Sequence, residues 1–190
     1  MAYEEPRYDV VRSTADYEIR RYEPYIVAET NVSGEFGGAG SEAFGILAGY
    51  IFGKNRRPSV TLSASNAPTD SVKMEMTVPV FSTAAQPESS DEFTYGFVMP
   101  SEFSIDSLPV PLDPRVRIRV VPERLVAVRR YSGRWSERAY REHEVVLLRS
   151  LDRDGMETEG APLFARYNAP WTLWFLRRNE VMIGVSGEGT

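Results

Sequence analysis

Six stretches of the chain alternate apolar and polar residues: 17–22, 25–32, 72–81, 93–99, 115–121 and 125–131. A period of two is that of a strand with one face buried and the other in water. It is clearest where Val72, Met74, Met76, Val78 and Val80 are opposed by Lys73, Glu75 and Thr77. Val116, Ile118 and Val120 alternate in the same way with Arg115, Arg117 and Arg119, which predicts that those three arginines line a solvated sheet face.

Two segments instead carry the helical period. Residues 40–52 place Ala43, Phe44, Leu47, Tyr50 and Ile51 on one face, with Ser41 as a starting cap and Gly53 as a stop. Residues 136–151 do the same with Ala139, Tyr140, Val146, Leu147 and Leu151, opened by Ser136 as N-cap and Glu137, and carrying Arg149 near the end. Both helices are amphipathic and are expected to lie on a sheet. Pro, Ser, Asn and Gly cluster at 55–71, 82–91, 100–114 and 168–179, which read as loops. The order becomes strand, strand, helix, strand, strand, twice over, with a seam at 100–114. That pattern points to an internal duplication, with units at about 15–100 and 114–186 inside one α+β domain spanning 1–190.

Composition narrows the chemistry. With 190 residues and 42% hydrophobic side chains, the chain can bury a core without staples. Its net charge of -5 disfavours a nucleic-acid partner, because sequence-independent grip on polyphosphate needs many cations. The absence of cysteine removes disulfides, thiolate nucleophiles and the usual structural zinc sites. The start has no basic-then-apolar leader, and the longest apolar uncharged run, 43–53, falls far short of the roughly 20 residues that span a bilayer. A cytoplasmic protein without membrane insertion is the expectation.

Catalytic equipment is sparse. His143 is the single histidine, so paired-histidine metal sites are impossible, and Gly34 to Gly40 lacks the ending of a phosphate loop and reads as a flexible lead into the first helix. No catalytic residue is assigned and an enzyme is not expected. His143 lies within the apolar stripe of the second helix. It reads foremost as a boundary histidine, and otherwise as an axial iron ligand or a proton switch. Met74 and Met76 read as core filler before iron ligands. Lys54, Arg56 and Arg57 follow the first helix, where cations have a structural reason in opposing the helix dipole.

The segment 160–179 is the most informative. It holds no Asp or Glu, carries Arg166, Arg177 and Arg178, and concentrates Leu163, Phe164, Tyr167, Trp171, Leu173, Trp174, Phe175 and Leu176. Either it packs down as core, or its aromatic surface beside guanidinium groups receives a planar apolar ligand bearing acidic groups. Composition leaves both readings open.

Several strings occur in order along nearly the whole chain: Tyr17-Glu-Ile-Arg-Arg-Tyr22; a helix end with Phe44, Leu47, Tyr50, Ile51, Gly53 and Asn55; Met74-x-Met76-Thr77-Val78-Pro79-Val80; Phe97-Val-Met-Pro100; Tyr131-Ser-Gly133; Tyr167-Asn-Ala-Pro170; and Arg177-Arg-Asn-Glu-Val181. Together they resemble the SOUL/haem-binding-protein family. The resemblance implies a duplicated α+β domain whose antiparallel sheet curls into a distorted barrel carrying two helices, akin to effector-binding domains of bacterial regulators. It also implies tetrapyrrole binding in a shallow apolar groove between the first helix and the loop before the last strand.

Carried over by position, Phe44, Leu47, Ala48 and Ile51 would form one wall and Trp171, Leu173, Trp174 and Leu176 the other, with Lys54, Arg177 and Arg178 pairing with propionates. The resemblance departs at two points: no histidine precedes His143 to ligate iron, and the 55–72 connection is long for the family and reads either as a lid or as a mere insertion. The expected function is a haem or related tetrapyrrole carrier, buffer or sensor. Its rivals are a haem-degrading or haem-dependent oxidative enzyme, and a small-molecule-sensing or protein-interaction module without haem.

Overall fold

The computed structural model describes residues 3–34, 36–58, 71–84 and 92–186. Its main strands are β1 (Tyr8–Ser13), β2 (Glu18–Tyr22), β3 (Tyr25–Ser33), β5 (Val80–Ala84), β6 (Glu92–Val98), β8 (Arg117–Val121), β9 (Arg124–Tyr131), β10 (Glu157–Arg166) and β11 (Asn179–Ser186). A small separate ladder joins β4 (Asn55–Arg56) to β7 (Val110–Pro111). The helices are α1 (Phe36–Ile51), between β3 and β4, and α2 (Glu137–Arg153), between β9 and β10.

The nine main strands form one antiparallel sheet in the order β1-β2-β9-β11-β10-β5-β6-β3-β8. About the central β5·β10 pair the order is symmetric in kind, β6 matching β11, β3 matching β9 and β8 matching β2.

Connectivity dictates the sheet's shape. Only Glu23 and Pro24 separate β2 from β3, yet these strands stand second and eighth in the sheet. Three extended steps from Tyr22 to Tyr25 reach roughly 11 Å at most, so the sheet must curl until its ends approach. The Tyr22 and Tyr25 rings lie 6.2 Å apart, and Arg124 donates to the Tyr25 hydroxyl at 3.0 Å across the gap. The distorted barrel of the sequence reading is corrected accordingly: among the described residues no ladder joins β1 to β8, and the sheet is curled but open.

Residues opposite one another in a ladder share a face. Phe164 opposes Ser82, and Ser82 opposes Tyr95. Phe164 belongs to the core under α2 and Tyr95 to the core under α1, so both helices lie on one face, side by side along the β5·β10 seam. On that face α1 buries Ala43, Leu47, Tyr50 and Ile51, while α2 buries Tyr140, Leu147 and Leu151. Among the described residues no helix lies over the opposite face. Its apolar residues, among them Phe81, Val98, Val126, Val128 and Met182, are buried because the sheet curls around them.

Ser136 caps α2 as expected, its hydroxyl accepting from the Ala139 amide at 3.3 Å. Helix α1 starts earlier than expected, at Phe36, so Ser41 lies inside it and residues 37–40 are helical rather than a flexible lead. Tertiary packing outweighs the poor helix propensity of glycine here. A side chain on Gly40 would come within 3.2 Å of the Tyr95 hydroxyl. The strand expected over 72–81 is limited to β5. Residues 71–79 run beside the sheet without a ladder, held by single bonds from the Met74 amide to Ile51 O (3.0 Å) and from the Val78 amide to Glu4 O (2.9 Å). Their alternation still buries Met74 and half-buries Met76, both as packing, as expected. Arg115, Arg117 and Arg119 are exposed as predicted, but so is Val120 on the sheet's edge. Most of the long connection suspected as a lid, residues 59–70, lies outside the described residues.

Candidate functional site

A small groove opens on the helix-bearing face at the β5·β10 seam, between the first half of α1 and the start of α2. The ladder register makes its floor: Val80 opposes Phe97 on one side and Arg166 on the other. Tyr95 lies on the same face two residues before Phe97, and Phe44 of α1 stands edge-on to Phe97 with centroids 5.6 Å apart. Trp135, Asn168 and Pro170 close the far side.

One cation faces this aromatic hollow. Arg166 donates through Nε to the Tyr140 hydroxyl at 2.6 Å, and its guanidinium lies over the Trp135 ring at 5.4 Å. Burial pushes the Tyr95 and Tyr140 hydroxyls above their ordinary range, with Arg166 pulling each part of the way back. Both therefore stay neutral donors near pH 7. The groove encloses about 90 Å³, well below the roughly 300–1,000 Å³ of pockets that swallow a drug-sized ligand. It can seat the edge of a flat ring, leaving the remainder open.

A broader, shallower hollow continues from it past Trp135 and Pro170, bordered by Arg134, Trp171, Leu173, Trp174 and Arg177. Arg177 builds this border: Nε donates to Thr172 O at 2.8 Å, Nη2 to Pro170 O at 2.7 Å, and the guanidinium stacks on Trp135 at 4.3 Å. Trp135 is fixed in turn by its indole N–H, which donates to Asn179 Oδ1 at 2.8 Å. The 168–176 loop is no part of the core. Trp171 is 83% exposed and Leu176 64%, with Leu173, Trp174 and Phe175 each half exposed or more.

The candidate residues therefore separate. Phe44 lines the groove, and Trp171, Leu173, Trp174 and Arg177 border the adjoining hollow. Leu47 and Ile51 turn to the sheet, fully buried, and Ala48 is buried beside them, so these three hold α1 down rather than face the groove. Leu176 is exposed but lines neither depression. Seven residues, about 10 Å of helix, separate Phe44 from Ile51, and Lys54 lies beyond that end with its stem folded over Gly49. The groove residues that the predicted site lacked are Val80, Tyr95, Phe97, Trp135, Arg166, Asn168 and Pro170, as well as Gly40. Arg166 could have been promoted, since it stands in the acid-free aromatic segment.

Arg178 is engaged on the other face of the sheet. Its Nε donates to Glu180 at 3.0 Å, its Nη1 to Glu5 at 2.9 Å, and it covers the Tyr167 ring at 3.7 Å. Glu180, with no exposed surface, also receives two bonds from buried Arg20, at 3.0 and 3.2 Å, and the Tyr167 hydroxyl at 2.7 Å. The Arg-Arg-Asn-Glu string thus divides its work: Arg177 braces the loop and Asn179 the Trp135 indole, while Arg178 and Glu180 form a buried ionic cluster.

His143 stacks on Tyr131 with ring centroids 3.8 Å apart, and its Nδ1 accepts from Arg129 Nε at 3.4 Å. It does not line the groove. Among the described residues no group of three or more His, Asp or Glu could hold a metal ion. Burial, seconded by Arg129, holds the imidazole below its ordinary pKa of 6.5. The unfolded chain then takes up this proton at higher pH than the folded one, so stability is expected to fall as pH drops below about 6.5. His143→Gln should flatten that part of a pH profile of Tm.

Residues 3–184 match the family described as SOUL heme-binding protein. No curated protein matches the sequence. Among solved structures, the C-terminal domain of EcmrR superposes with a TM-score of 0.64 over 95% of this chain and 99% of that one, at 10% identity. A hydrolase from Listeria innocua superposes with a TM-score of 0.58 over 93% and 94%, at 9% identity. At such identities the likeness is one of fold. None of the described helices is long and apolar enough to cross a membrane.

Proposed function

Because the chain belongs to the SOUL heme-binding protein family, we propose that it binds haem or a related tetrapyrrole across the α1–α2 groove as a reversible carrier, buffer or sensor, with no catalytic step of its own. The observation that carries this reading is the groove's composition: Phe44, Tyr95, Phe97 and Trp135 around a guanidinium, Arg166, held in place by Tyr140.

Bound haem would supply a redox-active iron and a strong absorption band. The protein's own residues supply shape and charge. A macrocycle edge rests against Phe44 and Phe97, with the Trp135 indole at its flank. Its carboxylates turn to Arg166, which a planar fork can engage bidentately, and to Arg177 at the rim. Apolar area removed from water at about 25 cal/mol per Å² supplies most of the affinity, whereas an exposed rim pair adds about 0–1 kcal/mol. Partial enclosure favours exchange over permanent retention. No imidazole, thiolate or thioether lines the groove, so iron ligation by His143 forms no part of this reading.

The groove takes Phe44, Tyr95 and Phe97 from α1 and β6 on one side of the β5·β10 seam and Trp135, Arg166 and Pro170 from β10 and the loops on the other. That shared lining, with the symmetric strand order, supports the two-unit reading and gives the seam a purpose.

Titration with ferric haem is the test. A saturable Soret shift with quenching of tryptophan emission is expected, and Arg166→Leu should weaken it about ten-fold, or about 1.4 kcal/mol. Phe44→Ser should do likewise, while His143→Gln leaves the spectrum unchanged. The absence of any saturable change at micromolar haem would refute the reading. Loss of the Soret band with a defined product under reductant and oxygen would replace it with the haem-degrading enzyme.

A further inference from the structure

The hollow does not account for the whole 168–176 loop. Phe175 and Leu176 line neither depression, yet together with Trp171, Leu173 and Trp174 they place five large apolar side chains within six positions, each half exposed or more. Scattered single exposures are ordinary; a contiguous apolar patch of this kind marks an interaction surface. A short 3₁₀ turn, Trp174–Leu176, presents part of it.

Charge selects the partner. The chain is acidic overall, but 160–179 contains no Asp or Glu, and the patch is flanked by Arg177 and the exposed Arg134. Tryptophan beside arginine is the composition of side chains that settle at a bilayer interface, the indole at headgroup depth and the cation toward phosphate. We infer that the Trp171–Leu176 loop is a peripheral docking surface for anionic lipid, inserting Trp171, Leu173, Phe175 and Leu176 among the headgroups while Arg134 and Arg177 face the lipid phosphates. The loop docks without any crossing segment. The inference does not require haem binding, although it shares Arg177 with that reading and the groove opens beside the docked loop, where an amphiphilic ring dissolved in the same bilayer could reach it.

The experiment is co-sedimentation and tryptophan fluorescence with phosphatidylcholine vesicles, with and without phosphatidylglycerol. In a Trp135→Phe background the emission comes from the two loop indoles. A blue shift and quenching by lipids brominated near the headgroup are expected on anionic vesicles only, weakening with added salt. Leu173→Ser with Leu176→Ser should lower the bound fraction about ten-fold. Both residues are exposed, so the variant's Tm should stay near that of the parent. Failure of the unaltered protein to bind anionic vesicles, or equal binding by the double variant, overturns the proposal. So does concentration-dependent self-association that the same substitutions abolish, since the patch would then belong to a second copy of this chain.

Discussion

Glu180→Ala is expected to cost about 3–5 kcal/mol of stability, the usual penalty for breaking a buried ion pair from one side. For a chain of this size that is a fall in Tm of roughly 6–20 °C. The carboxylate lies wholly inside the curled sheet and accepts from Arg20, Arg178 and Tyr167. Its removal leaves the Arg20 guanidinium, itself 3% exposed, with the Tyr22 hydroxyl at 3.3 Å, the partly exposed Glu18 at 2.8 Å and the Tyr8 ring at 4.4 Å. Burial disfavours the Arg20 cation, and in the parent Glu180 more than offsets this by Coulombic attraction and hydrogen bonding. Once Glu180 is gone the guanidinium's own basicity still keeps it charged near pH 7, so Arg20 cannot escape by losing its proton. The pair exists as a unit. Arg20→Met combined with Glu180→Leu should therefore destabilise less than the two single changes added together, with a coupling of about 0.5–3 kcal/mol in a double-mutant cycle followed by urea denaturation. Strict additivity would mean that Glu180 is held mainly by Arg178 and Tyr167.

The same cluster explains why Arg177 and Arg178 looked interchangeable in sequence. Neighbouring residues on an extended chain project to opposite sides, and here one side is the loop and the other the inside of the sheet. Arg178→Glu would place a third carboxylate beside Glu180 and Glu5, so any loss of ligand binding in it would report unfolding. Arg177→Glu tests the rim without that ambiguity.

What was readable from sequence follows from what leaves a local pattern. Helix α2 was legible because one face is polar and its cap is a side chain, Ser136, bonded three residues on. The start of α1 was hidden by glycine, which is acceptable because Tyr95 packs against it from a strand more than 50 residues away. Strand β11 gives no alternation, since residues 179–183 are buried on both faces, one side under α2 and the other inside the curl. Residues 72–78 failed in the opposite sense: their alternation holds as far as Met76, but among the described residues no strand pairs with them in a ladder.

The site was half legible for a related reason. Clustered aromatics between 160 and 179 announced a special surface, and the exposure of Trp171 and Leu176 resolves the choice between core and surface for the loop. Its opposite wall was misread because a helical stripe does not distinguish its centre from its margin. Leu47 and Ile51 are central and buried, while Phe44, at the margin, is 45% exposed toward the groove. Trp135 and Arg166 join Phe97 only through the β5·β10 pairing, a contact that no sequence spacing encodes.

Asn55 closes the fold at the other end of α1, and Asn55→Leu is expected to cost about 3 kcal/mol because both backbone groups of Val72 lose this partner while Tyr50 O is left with the long bond from the Gly53 amide at 3.4 Å. The side chain is 2% exposed. Its Nδ2 donates to Tyr50 O at 2.6 Å and to Val72 O at 2.8 Å, while its Oδ1 accepts from the Val72 amide at 2.9 Å. One residue thus supplies the short bond to a carbonyl at the helix C-terminus and does for residue 72 what a neighbouring strand would otherwise do. Leucine nearly matches the volume, so the loss isolates hydrogen bonding from cavity formation. Hydrogen exchange at the Val72 and Met74 amides should accelerate together, since the Met74 amide donates to Ile51 O in the same junction. Asn55→Asp supplies an internal check with a definite sign. It keeps an acceptor for the Val72 amide but turns a carboxylate toward two carbonyls, so burial raises its pKa and its stability relative to the parent should rise as pH falls from 7 toward 5 and the acid regains a donor. A Tm difference between Asn55→Asp and the parent that does not change with pH would show that the junction opens to water and that Asn55 does not hold it.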